Sequence, residues 1–307
     1  MRILIYGVGG IGGYLGSLLL NTTHSVTFIS RGKNFYQLKE NGLKLNSAQG
    51  KIFHKKIKVF EEFQKNEKYD LIILSSKLYD LDFIIDCIQG NVSKDCIILP
   101  FQNGIYAEEI LDKKLDLKCK TGAVAQISAH INKDSEIVHN GKIATFFVGP
   151  TLSNSRIDRL KFFAQDCQNS GLDLRYTNKI KEKIWDKFIF LSAYSGVTTV
   201  TQLSIGQIFE SDNSRNMFVS AMNETFKLSK FFKIKFSYDP VEKWLEKIKQ
   251  MPFNMTSSMY LDLKNKKKLE LNWLSGSVCY HSRKYNIKST VHDEIVNSIK
   301  LNYPSLV

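Results

Sequence analysis

Arg2-Ile3-Leu4-Ile5-Tyr6-Gly7-Val8-Gly9-Gly10-Ile11-Gly12-Gly13-Tyr14-Leu15-Gly16-Ser17-Leu18-Leu19-Leu20 is the stretch that decides how the rest of the chain is read. Its first residues form the short apolar run of a buried strand, and the segment from Tyr14 to Leu20 reads as an apolar helix. Between them, Gly7-Val8-Gly9-Gly10-Ile11-Gly12 has the GxGxxG spacing in the context its mechanism needs, a strand before and a helix after. Gly7 permits the tight turn, Gly9 lets the backbone approach a pyrophosphate at the helix N-terminus, and Gly12 lets the helix pack closely on the sheet. The residues from Ile3 to Leu20 carry no charge, as in a signal peptide or membrane helix, but their six glycines fit the nucleotide loop better. A bound dinucleotide is therefore the first expectation.

Outward from this stretch, short apolar runs recur at 26–29, 57–60, 71–74 and 96–99, separated by amphipathic segments. Alternation of that kind predicts an α/β fold, a Rossmann-type doubly wound parallel sheet with crossover helices. Asn140-Gly141 between two β-prone runs predicts a hairpin, hence an antiparallel edge. From about Asn154 the period becomes helical, with Gly171 as a stop and a last strand over 172–176. Helical patterns then dominate at 180–195, 214–232, 241–250, 257–263 and 271–285. Two domains are expected: residues 1–178 as the dinucleotide-binding domain and 179–307 as an all-α substrate and catalytic domain.

Composition narrows the class. Of 307 residues, 43% are hydrophobic and 24% charged, a globular rather than disordered balance. The five cysteines, Cys87, Cys96, Cys119, Cys167 and Cys279, are odd in number and widely spaced, which predicts free thiols in a reducing, cytoplasmic setting. The six histidines show no HxH or HxxxH spacing, so no metal site is expected. A net charge of +13 raises nucleic acid or an anionic membrane as partners. Lysine supplies most of that charge, no binding module surrounds the run Lys264-Asn265-Lys266-Lys267-Lys268, and that run reads as a solvated loop.

The residue that ends the second strand selects the dinucleotide. An acidic side chain there would hold a ribose 2′-hydroxyl, but the chain reads Ser30-Arg31-Gly32-Lys33. Arg31 and Lys33 suit a 2′-phosphate, so NADP(H) is favoured over NAD.

Over nearly its whole length the chain resembles the ketopantoate reductase (2-dehydropantoate 2-reductase) family. The resemblance rests on the glycine motif with Arg31, Ser76-Lys77, Gln102-Asn103-Gly104, Ile184-Trp185-Asp186-Lys187-Phe188, and Ser257-Ser258-Met259-Tyr260-Leu261-Asp262 followed by Glu270, all in family order. It implies a C-terminal helical domain like that of 6-phosphogluconate dehydrogenase and NADPH-dependent reduction of ketopantoate to pantoate. It further implies Lys187 as the catalytic lysine, and the Ser258 and Glu270 segments as its substrate signature.

The residues agree with that chemistry. Lys77 and Asn103 follow the strands at 71–74 and 96–99, at the carboxyl ends where open α/β sheets bind ligands, and either can touch the nicotinamide ribose or the substrate. Reducing a ketone leaves negative charge on oxygen, so the site needs an acid aimed at that atom. Lys187 lies beside an apolar stripe of Ile184, Phe188 and Leu191. Alone, that pattern also fits a snorkelling surface lysine; the family resemblance favours the proton donor. A turn within 264–268 would bring Glu270 back to accept from a substrate hydroxyl or to orient Lys187, while Ser258 holds the substrate carboxylate or caps a helix.

The chain departs from the family where asparagines commonly follow the lysine at four and eight residues, which here are Leu191 and Ser195. Ser195 remains a substrate-binding candidate, but another small 2-oxo acid becomes an alternative substrate. A non-catalytic NADP-binding redox sensor is the alternative outside enzymes. Its oligomeric state is expected to be monomer or homodimer.

Overall fold

In the computed structural model, which describes residues 1–118, 120–152 and 157–307, the chain divides into two compact units. One comprises Met1–Gln102 with Ala107–Ile180, the other Asn103–Tyr106 with Lys181–Val307. Where the sequence suggests a single cut after residue 178, the second unit thus also takes a four-residue piece of the first half. Cys119 and Asn154 lie outside the described residues.

The first unit begins with β1 (Arg2–Tyr6), whose Ile3, Leu4 and Ile5 have no exposed surface. A strand covered on both faces needs a continuous apolar run, which is what the sequence supplies. There follow α1 (Gly10–Leu19), β2 (Ser25–Ile29), α2 (Gly32–Asn41), β3 (Leu43–Ser47), β4 (Gly50–His54), β5 (Lys58–Phe60), β6 (Leu71–Leu74), α3 (Leu81–Ile88), β7 (Ile97–Pro100) and α4 (Tyr106–Lys114). The main sheet runs β5-β2-β1-β6-β7, parallel throughout. Tyr6 pairs with Ile29 on one side and Leu74 on the other, so β1, β2 and β6 end level. Strand order reverses at β1, and the crevice at such a reversal is where doubly wound sheets hold nucleotides.

A second sheet contains β8 (Thr121–Ile131), β9 (Ile137–Pro150) and, after α5 (Ile157–Asn169), β10 (Leu174–Tyr176), in the order β10-β9-β3-β4 with β8 paired to β9. Helix α1 is wedged between the two sheets, thin at Gly13 where Ile137 of β9 packs and at Gly16 where Phe28 of β2 packs. Gly13 and Gly16 thus let the helix be squeezed from two sides.

The expected hairpin is present but turns elsewhere. Strand β9 passes straight through Asn140-Gly141, and the pairing slips there, from Ile127 with Ala144 to Ser128 with Asn140. Gly141, at φ +78°, serves this bulge. The reversal itself lies at 132–136, where Asn132 Oδ1 accepts from the Asp134 and Glu136 amides, both at 2.9 Å, and Ser135 takes φ +60°. A side-chain-built turn outcompetes the Asn-Gly signal.

Among the described residues the second unit is helical throughout: α6 (Ile180–Thr201), α7 (Ile205–Glu210), α8 (Asp212–Phe231), α9 (Pro240–Ile248), α10 (Ser258–Lys264), α11 (Ser275–Lys284) and α12 (Thr290–Asn302). From Phe188 to Thr201 α6 has no charged residue, and most of it is buried on every side, as befits a central helix. Its hydroxyls return to their own helix, Thr198 Oγ1 to the Tyr194 carbonyl and Thr199 Oγ1 to that of Ser195, both at 2.6 Å. Phe190 stacks on Trp244 of α9 at 4.3 Å between centroids, and Trp244 Nε1 donates to the Asp186 carbonyl at 2.7 Å. The pattern read over 271–285 as one stretch is two pieces, a single turn at Leu271–Trp273 and then α11, parted at Leu274 (φ −105°, ψ −97°). Among the described residues no helix is long and apolar enough to cross a membrane.

Candidate active site

In the first unit, the glycine segment leaves β1 in a turn that only glycine fits. Gly7 sits at φ +98°, and a Cβ there would strike the backbone of Ser76; one on Gly12 would strike the Gly7 carbonyl oxygen. The loop is tied down on both sides. The Gly7 amide donates to the Ile29 carbonyl at 3.0 Å, Ser75 Oγ donates to the Gly7 carbonyl at 2.7 Å, and Asn34 Nδ2 donates to the Val8 carbonyl at 2.9 Å. Gly9, the N-cap of α1, differs: a Cβ built there meets nothing within 4 Å. Among the described residues no neighbour requires a glycine there, and a backbone free of a side chain is what close approach of a phosphate would need. Gly10 opens α1, followed by a partly exposed Ile11.

Two side chains at the strand ends strengthen the fit to a dinucleotide. Ser76 Oγ, after β6, and both amide atoms of Gln102, after β7, are buried without a hydrogen-bond partner among the described residues. Such atoms carry a desolvation cost that a polar ligand or water relieves. Lys77, beside Ser76, caps the single turn Leu78–Asp80 and is partly exposed. Arg31 and Lys33 are exposed after β2, with Arg31 Nη2 2.8 Å from Asp80 Oδ2.

The second unit brings three of the expected residues together. Lys187 Nζ, on α6, donates to Asn103 Oδ1 at 2.8 Å across 84 residues of sequence. Burial lowers the Lys187 pKa from 10.5 to about 8, and the negative charge of Glu270 opposes that fall. Glu270 is itself buried, at 6% exposure. It gets there as the sequence anticipates: α10 ends at Lys264, Lys266 turns the chain at φ +52°, and the exposed lysines 264–268 face solvent. Leu269 and Glu270 then plunge inward. Gly104, at φ +88°, comes so near this segment that a Cβ would lie 3.1 Å from the Trp273 carbonyl oxygen, and the Tyr106 and Trp273 rings meet edge-on at 6.4 Å.

The two remaining candidates part company. Ser195, two turns beyond Lys187, is 1% exposed and its Oγ has no partner among the described residues. Ser258, the first residue of α10, is exposed. Capping falls to its neighbour: Ser257 Oγ accepts from the Tyr260 amide at 3.1 Å and shares a 2.6 Å hydrogen bond with Thr198 Oγ1. The helix-cap alternative thus belongs to Ser257, leaving the Ser258 hydroxyl open to a ligand. Leu191 is partly exposed one turn from Lys187. The sequence places Ser76, Gln102 and Ser257 inside the segments that carry the family resemblance but assigns none of them a role of its own.

A cationic acid with a pKa near working pH, hydrogen-bonded to an amide oxygen and favoured by the charge of a carboxylate, can deliver a proton to an oxygen gaining negative charge. The model described as ketopantoate reductase PanE/ApbA matches residues 3–152, and the one described as ketopantoate reductase PanE/ApbA C terminal matches 179–302. YkpB, an uncharacterized oxidoreductase of Bacillus subtilis, is 24% identical over 303 residues and covers 98% of each chain. A 2-dehydropantoate 2-reductase of Lactococcus lactis is 25% identical over 316 residues, covering 95% of each. In fold, a D-mandelate dehydrogenase solved with NADH and anilino(oxo)acetate matches with a TM-score of 0.88 at 22% identity, over 100% of this chain and 99% of that one. With family models spanning both units, the chain belongs to the ketopantoate reductase family.

Proposed function

We propose that the protein is an NADP(H)-dependent reductase of a small 2-oxo acid, with 2-dehydropantoate as its leading substrate and pantoate, a precursor of coenzyme A, as product. The observation that carries this reading is the Lys187 ammonium, depressed to about 8, bonded to Asn103 and facing the charge of buried Glu270. A non-catalytic sensor has no need of a proton donor held at such cost.

In this reading residues 1–178 hold the cofactor, with Gly7, Val8, Gly9, Gly10, Ile11 and Gly12 against the pyrophosphate and Arg31 at the 2′-phosphate, while Lys77 and Asn103 contact the nicotinamide end. Bound NADPH supplies the hydride to the keto carbon. Residues 179–307 supply the rest: Lys187 gives its proton to the keto oxygen and Asn103 orients the ammonium. Glu270 keeps that ammonium charged, and Ser258 and Ser195 take polar groups of the substrate. The protein acts in the cytoplasm as a monomer or homodimer.

Leu191 favours a second reading within the same chemistry. An apolar side chain one turn from Lys187 cannot bond a substrate hydroxyl and suits a 2-oxo acid with an apolar substituent. The fold likeness to a mandelate dehydrogenase crystallised with anilino(oxo)acetate points the same way. The test follows the loss of NADPH absorbance with ketopantoate, 2-oxoisovalerate and phenylglyoxylate. Turnover of any of them that collapses in Lys187→Ala supports the reductase. Preference for the apolar acids, reversed toward ketopantoate by Leu191→Asn, selects the second substrate class. NADPH binding without reduction of any 2-oxo acid overturns both in favour of a sensor.

A further inference from the structure

The basic residues after β2 are not alone. Arg31 Nη2 lies 2.8 Å from Asp80 Oδ2, with 46% and 31% of the two side chains exposed. Asp80 ends the turn Leu78–Asp80 beyond β6, and so reaches Arg31 from the other side of β1. The next residue, Gly32, opens α2 and gives its amide to Glu61 Oε1 at 3.1 Å. The guanidinium also lies 5.9 Å from the centre of the Phe83 ring, which is 57% exposed. Two carboxylates from elsewhere in the chain therefore each engage a donor at the end of β2, although that strand end itself carries no acid.

The consequence differs for the two dinucleotides. A ribose 2′-hydroxyl can donate to a carboxylate while the Arg31–Asp80 pair stays closed. A 2′-phosphate must either share the guanidinium with Asp80 or draw it away, and in both cases it sits close to that carboxylate, like charge beside like charge. Because a half-exposed ion pair is weak, Arg31 remains recruitable.

We infer that Asp80 is a specificity-determining residue of the cofactor site: it competes with the 2′-phosphate for Arg31 and narrows the preference for NADPH over NADH. This inference rests on the NADP reading above. It makes Asp80 a positioning residue that acts through Arg31 rather than one that takes part in the reaction.

The test is equilibrium binding, without turnover, of NADPH, NADH, adenosine 2′,5′-bisphosphate and 5′-AMP to wild type, Asp80→Asn, Asp80→Glu and Arg31→Ala. Asp80→Asn is expected to tighten both 2′-phosphorylated ligands roughly tenfold relative to their counterparts, by less at high salt, as removal of one nearby like charge dictates. Asp80→Glu, which keeps the charge, should retain the wild-type ratio, and Arg31→Ala should abolish the preference for the 2′-phosphate. If Arg31→Ala weakens NADPH but Asp80→Asn leaves the NADPH to NADH ratio unchanged or lowers it, the inference is overturned while the NADP reading stands. If Arg31→Ala leaves NADPH affinity untouched, the NADP reading falls and takes the inference with it. Melting temperatures near wild type for the asparagine and glutamate variants exclude misfolding as the cause.

Discussion

The glycine loop after β1 and the lysine cluster around α6 are built on opposite plans. The loop is defined by atoms that are missing: Gly7 and Gly12 have no room for a side chain, and a Cβ on Gly9 would meet nothing within 4 Å. All of it comes from one run of six residues. The cluster is made of side chains held against their own solvation, and Lys187, Asn103 and Glu270 come from three distant segments. The loop is a shape, specified locally; the cluster is an electrostatic balance, specified only by the folded unit.

That contrast breaks most easily at Lys187. Lys187→Met should lower the rate of 2-oxo acid reduction by about 10²–10⁴-fold, the usual contribution of a general acid, while NADPH affinity stays near wild type. Its stability should rise. The folded-state pKa of about 8 lies below the ordinary 10.5, so the unfolded chain binds this proton more tightly across that window. Wild-type stability therefore carries a cost that is full below about pH 8 and fades as the pH rises to 10.5. Methionine removes the cost and the slope together, and melting curves across pH read both. A fall in Tm at neutral pH would mean that the ammonium stabilises the fold and is not poised for transfer.

The loop responds in the opposite sense. Gly9→Ala puts a methyl into open space, so Tm should hold while NADPH affinity drops roughly tenfold, equivalent to about 1.4 kcal/mol. Gly12→Ala forces the loop carbonyl aside and should cost about 1–3 kcal/mol of stability before any ligand is added. If calorimetry and thermal melts show both variants losing affinity and stability in parallel, the distinction between a ligand-facing and a packing glycine fails.

These two plans also explain what the sequence could show. Strand, glycine turn and helix are adjacent, so the period change and the GxGxxG spacing reveal them directly. The Ser257 cap could not be told from Ser258, because adjacent hydroxyls look alike until one accepts the Tyr260 amide and the other faces out. Asn140-Gly141 misplaced the hairpin because Asn132 builds a competing turn a few residues earlier. Asp80 gave no signal at all, since its relation to Arg31 exists only once β2 and β6 flank β1. The lowered Lys187 pKa belongs to the same class: burial is a property of the packed unit, and no spacing encodes it.

The electrostatic plan sharpens further through pH. Proton donation needs the charged ammonium, so reduction should decline as the pH rises through about 8, and the reverse oxidation should rise over the same range. Glu270 holds the Lys187 pKa up, so Glu270→Gln should shift both limbs to lower pH and slow reduction at neutral pH. One control is required. Glu108 in the first unit is also driven by burial to about 8, so a limb that moves in Glu108→Gln rather than in Glu270→Gln would be reporting the wrong group.

The smallest expected effect tests where the cluster ends. Ser195 Oγ is buried without a partner among the described residues, a state that costs about 1–3 kcal/mol unless a ligand or water answers it. If the substrate is what answers it, Ser195→Ala relieves the ligand-free protein and penalises only the complex. Tm should then be unchanged or slightly higher, kcat should hold, and KM should rise by roughly three- to tenfold, about the net worth of one hydrogen bond. The opposite pairing, a lower Tm with an unchanged KM, would mean that the hydroxyl already serves the fold. In that event the substrate does not reach α6's second turn beyond Lys187, and substrate choice is left to Leu191 and the exposed Ser258.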